Sequence, residues 1–144
     1  MGDGPLKEQL NIKARQLGIE GSLHFLAPVD DPLPYYRSLN LYLNTSRHEG
    51  IPLSILEAMA CGLTVVAPAV GGVPEIISNE VNGFLVNGRE SDAFAEACLK
   101  IIKNSHLNSL IGANAARKVQ NSFDSAVMSK AYGIIYGSAE RKAE

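Results

Sequence analysis

Glu49 and Glu57 stand eight positions apart in the stretch TSRHEGIPLSILEAMACG, residues 45–62. The spacing predicts a helix over residues 52–61, opened by Pro52 at its first turn and closed by Gly62. Glu49 then falls in the loop before the helix, where it can face a ligand. Glu57 falls about one and a half turns inside, close enough to reach the same ligand from the side. Between the two acids, Gly50, Ile51, Leu53 and Ser54 surround the helix N-terminus. Unpaired N–H groups and the positive end of the helix dipole make that place attractive to an anion such as phosphate. Pro52 has no N–H to offer and shapes the turn. Acids at a helix entry also stabilise the helix through its dipole with no ligand present, so the spacing by itself leaves both readings open. Glu57 makes the stronger case, because Ile55, Leu56, Ala58, Met59 and Ala60 surround it in sequence and a carboxylate in apolar surroundings needs a hydrogen-bonding partner.

Other polar residues have ordinary explanations. His48 reads as an exposed loop histidine, His106 as a surface residue, and His24 as a satisfied histidine in an apolar strand. Glu75, just after Pro74, suits the first turn of a helix. Gly71 and Gly72 form a tight turn before that helix, with close approach of a ligand to their backbone as the alternative. Cys61 and Cys98 fit neither a metal-binding pair nor a disulfide framework, which points to reduced thiols and a cytoplasmic protein. No metal-ligand cluster is apparent.

The elements that must position the two acids alternate regularly. An amphipathic helix is expected over residues 6–17, with Gly18 as its stop. Strands are expected over 22–26, 40–44, 64–67 and 83–86, separated by a polar loop over 28–34 and helices over 35–39, 52–61 and 73–77. After Glu90 the chain reads as helical, with breaks near 104–105 and 121–124. Strands alternating with helices imply right-handed crossovers and a parallel sheet, an α/β Rossmann-like fold with the sheet flanked by helices. Ligands in such sheets lie beyond the carboxyl ends of the strands, which is where Glu49 falls.

At 144 residues, with 46% hydrophobic and 19% charged residues, the chain has the size and balance of one globular domain. We divide it into a Rossmann-like core, residues 1–103, and a C-terminal helical segment, 104–144. A net charge of −2 excludes a general nucleic-acid binder, so any anion must be bound locally. No stretch has the length of a transmembrane segment, and no repeat or signal peptide is visible.

The run HEGIPLSILEAMACGLTVVAPAVGGVPEIISNEVNGFLV, residues 48–86, resembles the signature of the retaining GT-B glycosyltransferases, the group that includes sucrose synthase and the capsule and lipopolysaccharide transferases. The shared core is the E-x7-E element. The opening GDGP, the stretch HFLAPVDD and the closing ARKVQNSF with its tyrosine-containing tail extend the likeness from Gly2 to Tyr136. The resemblance implies the C-terminal, donor-binding half of a GT-B fold and a nucleotide diphosphate sugar as donor. It assigns Glu49 to the transferred sugar and the reacting centre, Glu57 to the ribose, and the main-chain N–H groups of Gly50, Ile51, Leu53 and Ser54 to the sugar and diphosphate. Residues 27–31 become candidates for contact with the base. No cofactor and no obligatory metal are expected.

The same resemblance calls for a basic Arg and Lys pair upstream of the GDGP turn, and Arg15, Arg37 and Arg47 do not stand in its context. The chain therefore reads as lacking the first strands of its domain and the N-terminal acceptor domain. A missing N-terminal GT-B domain, or a protein supplying it, is the expected partner, and peripheral membrane contact of a longer parent is compatible with the likeness. By itself the chain should turn over very slowly or not at all, since the departing diphosphate needs fixed positive groups. A non-catalytic binding or regulatory module of the same fold is the alternative. A phosphorylase would require a lysine holding pyridoxal phosphate, for which no lysine here has the context.

Overall fold

The computed structural model describes residues 4–140, so Gly2 and Asp3 of the opening turn lie outside the described residues, as does the side chain of Tyr136. Contacts between Cα atoms divide the chain into two compact units, one ending at Pro32 and the other beginning at Leu33.

In the first unit, helix α1 spans Lys7–Gln16 and ends where Gly18 takes a positive φ of 66°. The amides of Leu17, Gly18 and Ile19 turn back to the carbonyls of Lys13, Arg15 and Ala14, which satisfies the last carbonyls of the helix. Ala14 alone is buried here among the described residues, and Leu6, Leu10, Ile12 and Leu17 remain exposed. The strand expected over residues 22–26 does not form. A 3-10 turn takes up Glu20–Ser22, and Leu23 is extended at φ −112° and ψ 123°. Extended backbone becomes a strand only when a neighbour pairs with it, and no ladder among the described residues includes this stretch. His24 is accordingly exposed and is not a core histidine.

The second unit carries the sheet. Helix α2 is Leu33–Ser38, starting two residues earlier than expected, and it leads to strand β1, Tyr42–Leu43. Helix α3, Leu53–Ala60, crosses to β2, Val65–Pro68, and the short helix α4, Val73–Ile76, crosses to β3, Phe84–Val86. All pairings are parallel, in the order β1-β2-β3, with Tyr42 opposite Val65 and Val66 opposite Phe84. Helices α5, Ser91–Ile102, α6, Ser105–Ser122, and α7, Ser125–Glu140, follow.

Alternation along β2 sorts the core into two layers. Val65 and Ala67 pack with Ile55, Ala58 and Met59 of α3 and Val73 and Ile76 of α4. Val66 turns to the other face, with Phe84, Val86 and Ile101 of α5. Helix α6 serves both layers, giving Ala115 to the first and Ile111 to the second. The sheet is thus covered by helices on each side, and the β-branched run of residues 64–66 is fully enclosed, as a parallel sheet requires.

Candidate functional site

Helix α3 begins with Pro52 in an extended conformation at ψ 113°, and no side chain caps it. Its first returning hydrogen bonds are donated by Ile55 and Leu56 to the Pro52 carbonyl, at 3.1 and 3.3 Å. The N–H groups of Gly50, Ile51, Leu53 and Ser54 therefore find no acceptor among the described residues. Leu53 is 71% exposed and Ile51 is also exposed, so the mouth of the helix opens to solvent among the described residues. A first turn with open amides is a ready anion site.

Glu49 lies just before this mouth, in the loop that leaves β1. The loop is shaped by Asn44, which continues the ladder by donating its backbone N–H to Val66 at 2.9 Å. Asn44 is 7% exposed. Its Oδ1 accepts from the Ser46 N–H at 2.8 Å, and its Nδ2 donates to Glu49 Oε1 at 3.1 Å. From the opposite side the Gly71–Gly72 turn braces the same loop: the Gly72 N–H donates to the Gly50 carbonyl at 3.0 Å. Gly71 has φ 53°, and a Cβ there would fall on the Glu49 carbonyl oxygen. The two glycines do permit a close backbone approach, but what approaches them is the Glu49–Gly50 peptide.

Glu57 sits on the exposed side of α3, whose buried residues are Ile55, Ala58 and Met59. The apolar neighbours in sequence thus point away from the carboxylate, correcting the expectation of apolar surroundings. Its hydrogen-bonding partner is the buried Tyr36 of α2, whose hydroxyl donates to Glu57 Oε2 at 3.1 Å. Burial first, and then this bond, push the Tyr36 hydroxyl well above its ordinary range, so it remains a donor at any physiological pH. The Tyr36 ring meets that of Tyr42 edge-on, with centroids 5.8 Å apart. Tyr42 and Asn44 share one side of the strand direction by their two-residue spacing. One face of β1 therefore seats the partners of both acids.

A separate cavity of about 500 Å³ lies at the other face of the sheet's carboxyl ends, lined by Leu43, Arg47, Arg89, Phe94 and Cys98 among others. Neither Glu49 nor Glu57 lines it. Burial raises the Cys98 thiol above its ordinary value, and both cysteines are free. His48 and His106 are exposed. Among the described residues no cluster of three or more His, Cys, Asp or Glu could hold a metal ion, and no helix is long and apolar enough to cross a membrane. Sequence reasoning found the acids and the open amides but missed Asn44 and Tyr36. An asparagine ending a strand and a tyrosine in a short helix carry no local signal of their partners.

The sequence pattern of the family described as "Glycosyl transferases group 1" matches residues 1–104. An uncharacterized glycosyltransferase of Haemophilus influenzae is 33% identical over 135 residues, covering 93% of this chain and 35% of the relative. The lipopolysaccharide core biosynthesis mannosyltransferase LpcC of Rhizobium leguminosarum is 35% identical, over 91% of this chain and 37% of that protein. The chain thus spans about a third of the length of these relatives, from 35% to 37%. Among solved structures, Anabaena HepE in complex with UDP superposes with a TM-score of 0.87 at 29% identity, covering 91% of this chain and 36% of that one. The C-terminal domain of a group 1 glycosyltransferase from Francisella tularensis superposes at 0.74 with 31% identity, covering 83% and 63% respectively. With its parallel sheet and a family match over residues 1–104, the chain belongs to the group 1 glycosyltransferases and corresponds to the C-terminal domain of their GT-B fold.

Proposed function

We propose that this chain binds a nucleotide diphosphate sugar and serves as the donor half of a retaining glycosyltransferase that acts on an acceptor hydroxyl. The observation that carries the reading is the open mouth of α3 between two anchored carboxylates. The N–H groups of Leu53 and Ser54, with those of Gly50 and Ile51, hold the diphosphate. Glu49 accepts hydrogen bonds from the sugar and stabilises positive charge developing at the reacting carbon; Glu57 accepts from the ribose hydroxyls. HepE, a relative of the same fold, has been solved with UDP and with UDP-glucose, which supports a uridine donor as the first to try.

In the full enzyme the diphosphate departs as the acceptor hydroxyl attacks from the same side. An oxygen of the leaving group takes the hydroxyl proton, so Glu49 contributes electrostatics and positioning and forms no covalent bond. The acceptor wall comes from an N-terminal GT-B domain, whether covalently attached or supplied in trans, and the basic pair that neutralises the diphosphate comes from the stretch of the donor domain upstream of the GDGP turn. We read residues 1–144 as one donor-binding domain with a core over 1–103, acting in the reducing cytoplasm without an obligatory metal.

Titration of the chain with uridine, guanosine and adenosine diphosphate sugars tests the reading. Saturable binding of one of them is expected, and no nucleotide-dependent signal at millimolar ligand would defeat it. Glycosyl transfer on adding an N-terminal half separates an enzyme half from a non-catalytic module of the same fold.

A further inference from the structure

Asn44 is a neutral amide in a nearly closed environment, and each of its two ends has one partner. Because Oδ1 must face the Ser46 N–H, Nδ2 is turned toward Glu49, and the orientation of the amide is set by the network. Glu49 Oε1 is held by this contact while Oε2 is left for a ligand. At the second acid, Glu57 Oε2 is held by Tyr36 and Oε1 is left. A phenylalanine would fill the buried part of the Tyr36 site as well, yet the hydroxyl reaches the carboxylate of an exposed glutamate. The two supports are linked through β1, because the Tyr36 ring rests on Tyr42, two residues before Asn44. We propose that Asn44 and Tyr36 are positioning residues, which hold Glu49 and Glu57 with one oxygen each directed to the donor.

This inference rests on the donor-site reading. The physical benefit is that glutamate side-chain freedom is removed before the ligand arrives, so less ordering cost falls on binding. Neither support carries charge, so neither forms an ion pair that would compete with sugar and ribose hydroxyls for the acids. Asn44 acts on the sugar end and Tyr36 on the ribose end, so their losses should separate by ligand.

Calorimetric titration of the whole chain with three probes tests this: UDP, UDP-glucose and 2′,3′-dideoxyuridine diphosphate. Asn44→Asp retains the acceptor for the Ser46 N–H but sets a carboxylate against Glu49. It should reduce the preference for UDP-glucose over UDP by on the order of tenfold while changing UDP itself little. Asn44→Ser, too short to reach Glu49, should act in the same direction and serves if the first variant does not fold. Tyr36→Phe keeps the ring and should reduce the preference for UDP over the dideoxy analogue by about as much. Each loss should be absent in a chain already carrying Glu49→Ala or Glu57→Ala, respectively.

Preferences within twofold of wild type, equal weakening of all three ligands, or losses that add to those of the glutamate variants would overturn the positioning roles. A wild-type chain that binds none of the probes defeats the donor-site reading and this inference with it. One that binds UDP without distinguishing the other two defeats the roles given to the acids and their supports, leaving the anion site intact.

Discussion

Replacing Gly71 by alanine should disturb the molecule through the loop that carries Glu49. At φ 53° an L-residue pays about 1–2 kcal/mol for the left-handed backbone. The added methyl also falls on the Glu49 carbonyl oxygen, a backbone atom with no rotamer to escape into. Relieving that overlap displaces the Glu49–Gly50 peptide and strains the 3.0 Å bond from Gly72 to Gly50, adding roughly 1–3 kcal/mol of overpacking. The expected loss is about 2–5 kcal/mol, a large part of the ~5–15 kcal/mol that holds a domain folded. Gly62 supplies the internal control: its φ is 77°, yet nothing lies within 4 Å of its would-be Cβ. Gly62→Ala should therefore cost only the backbone strain, about 1–2 kcal/mol. Urea unfolding of both variants, followed by titration with UDP-glucose, reads the difference. Should the loop yield instead of the fold, the cost appears as a lost preference for UDP-glucose. Equal stabilities for the two variants, within about 0.5 kcal/mol, together with an unchanged preference, would refute the bracing of Glu49 by this turn.

Leu53→Pro removes one open amide at the position of a helix where proline fits best, and Pro52 already has the extended ψ of 113° that a following proline demands. Stability should be nearly unchanged while UDP binding weakens about tenfold or more, the effect of losing one hydrogen bond to a charged group, as read by calorimetry. The raised Tyr36 hydroxyl predicts alkaline sensitivity. Its contribution is intact below the ordinary value of 10.0 and drains away as the unfolded chain ionises above it while the folded chain keeps the proton. Denaturation from pH 9 to 11 should show up to about 1.4 kcal/mol per pH unit of loss that Tyr36→Phe abolishes. Burial of the Cys98 thiol predicts alkylation by iodoacetamide at pH 8 more slowly than a free cysteine, measured by mass spectrometry.

Local punctuation made the candidate site legible in the sequence. Pro52, Gly62 and the enclosed run of residues 64–66 fix where α3 begins, where it ends and what it packs on, and Glu49 and Glu57 follow from that placement. Residues 22–26, SLHFL, are mostly apolar and contain an aromatic, a composition that reports a tendency to extend, whereas a ladder needs a partner elsewhere. The apolar residues beside Glu57 in the sequence are not its neighbours in space. Around a helix Ile55, Ala58 and Met59 occupy the buried side and leave position 57 on the other. Its bond to Tyr36 bridges 21 residues, a separation over which no spacing rule operates. Asn44 was visible only as the end of a strand, and its hold on Glu49 depends on how the following turn folds back.

The most direct test is an amide-resolved NMR titration of the isotope-labelled chain with UDP. The N–H signals of Gly50, Ile51, Leu53 and Ser54 should move together and saturate, ahead of every other group in the second unit. Saturable shifts at Arg89 and Ser91 in the cavity on the opposite face, with Leu53 and Ser54 unmoved, would contradict the placement of the diphosphate at the mouth of α3.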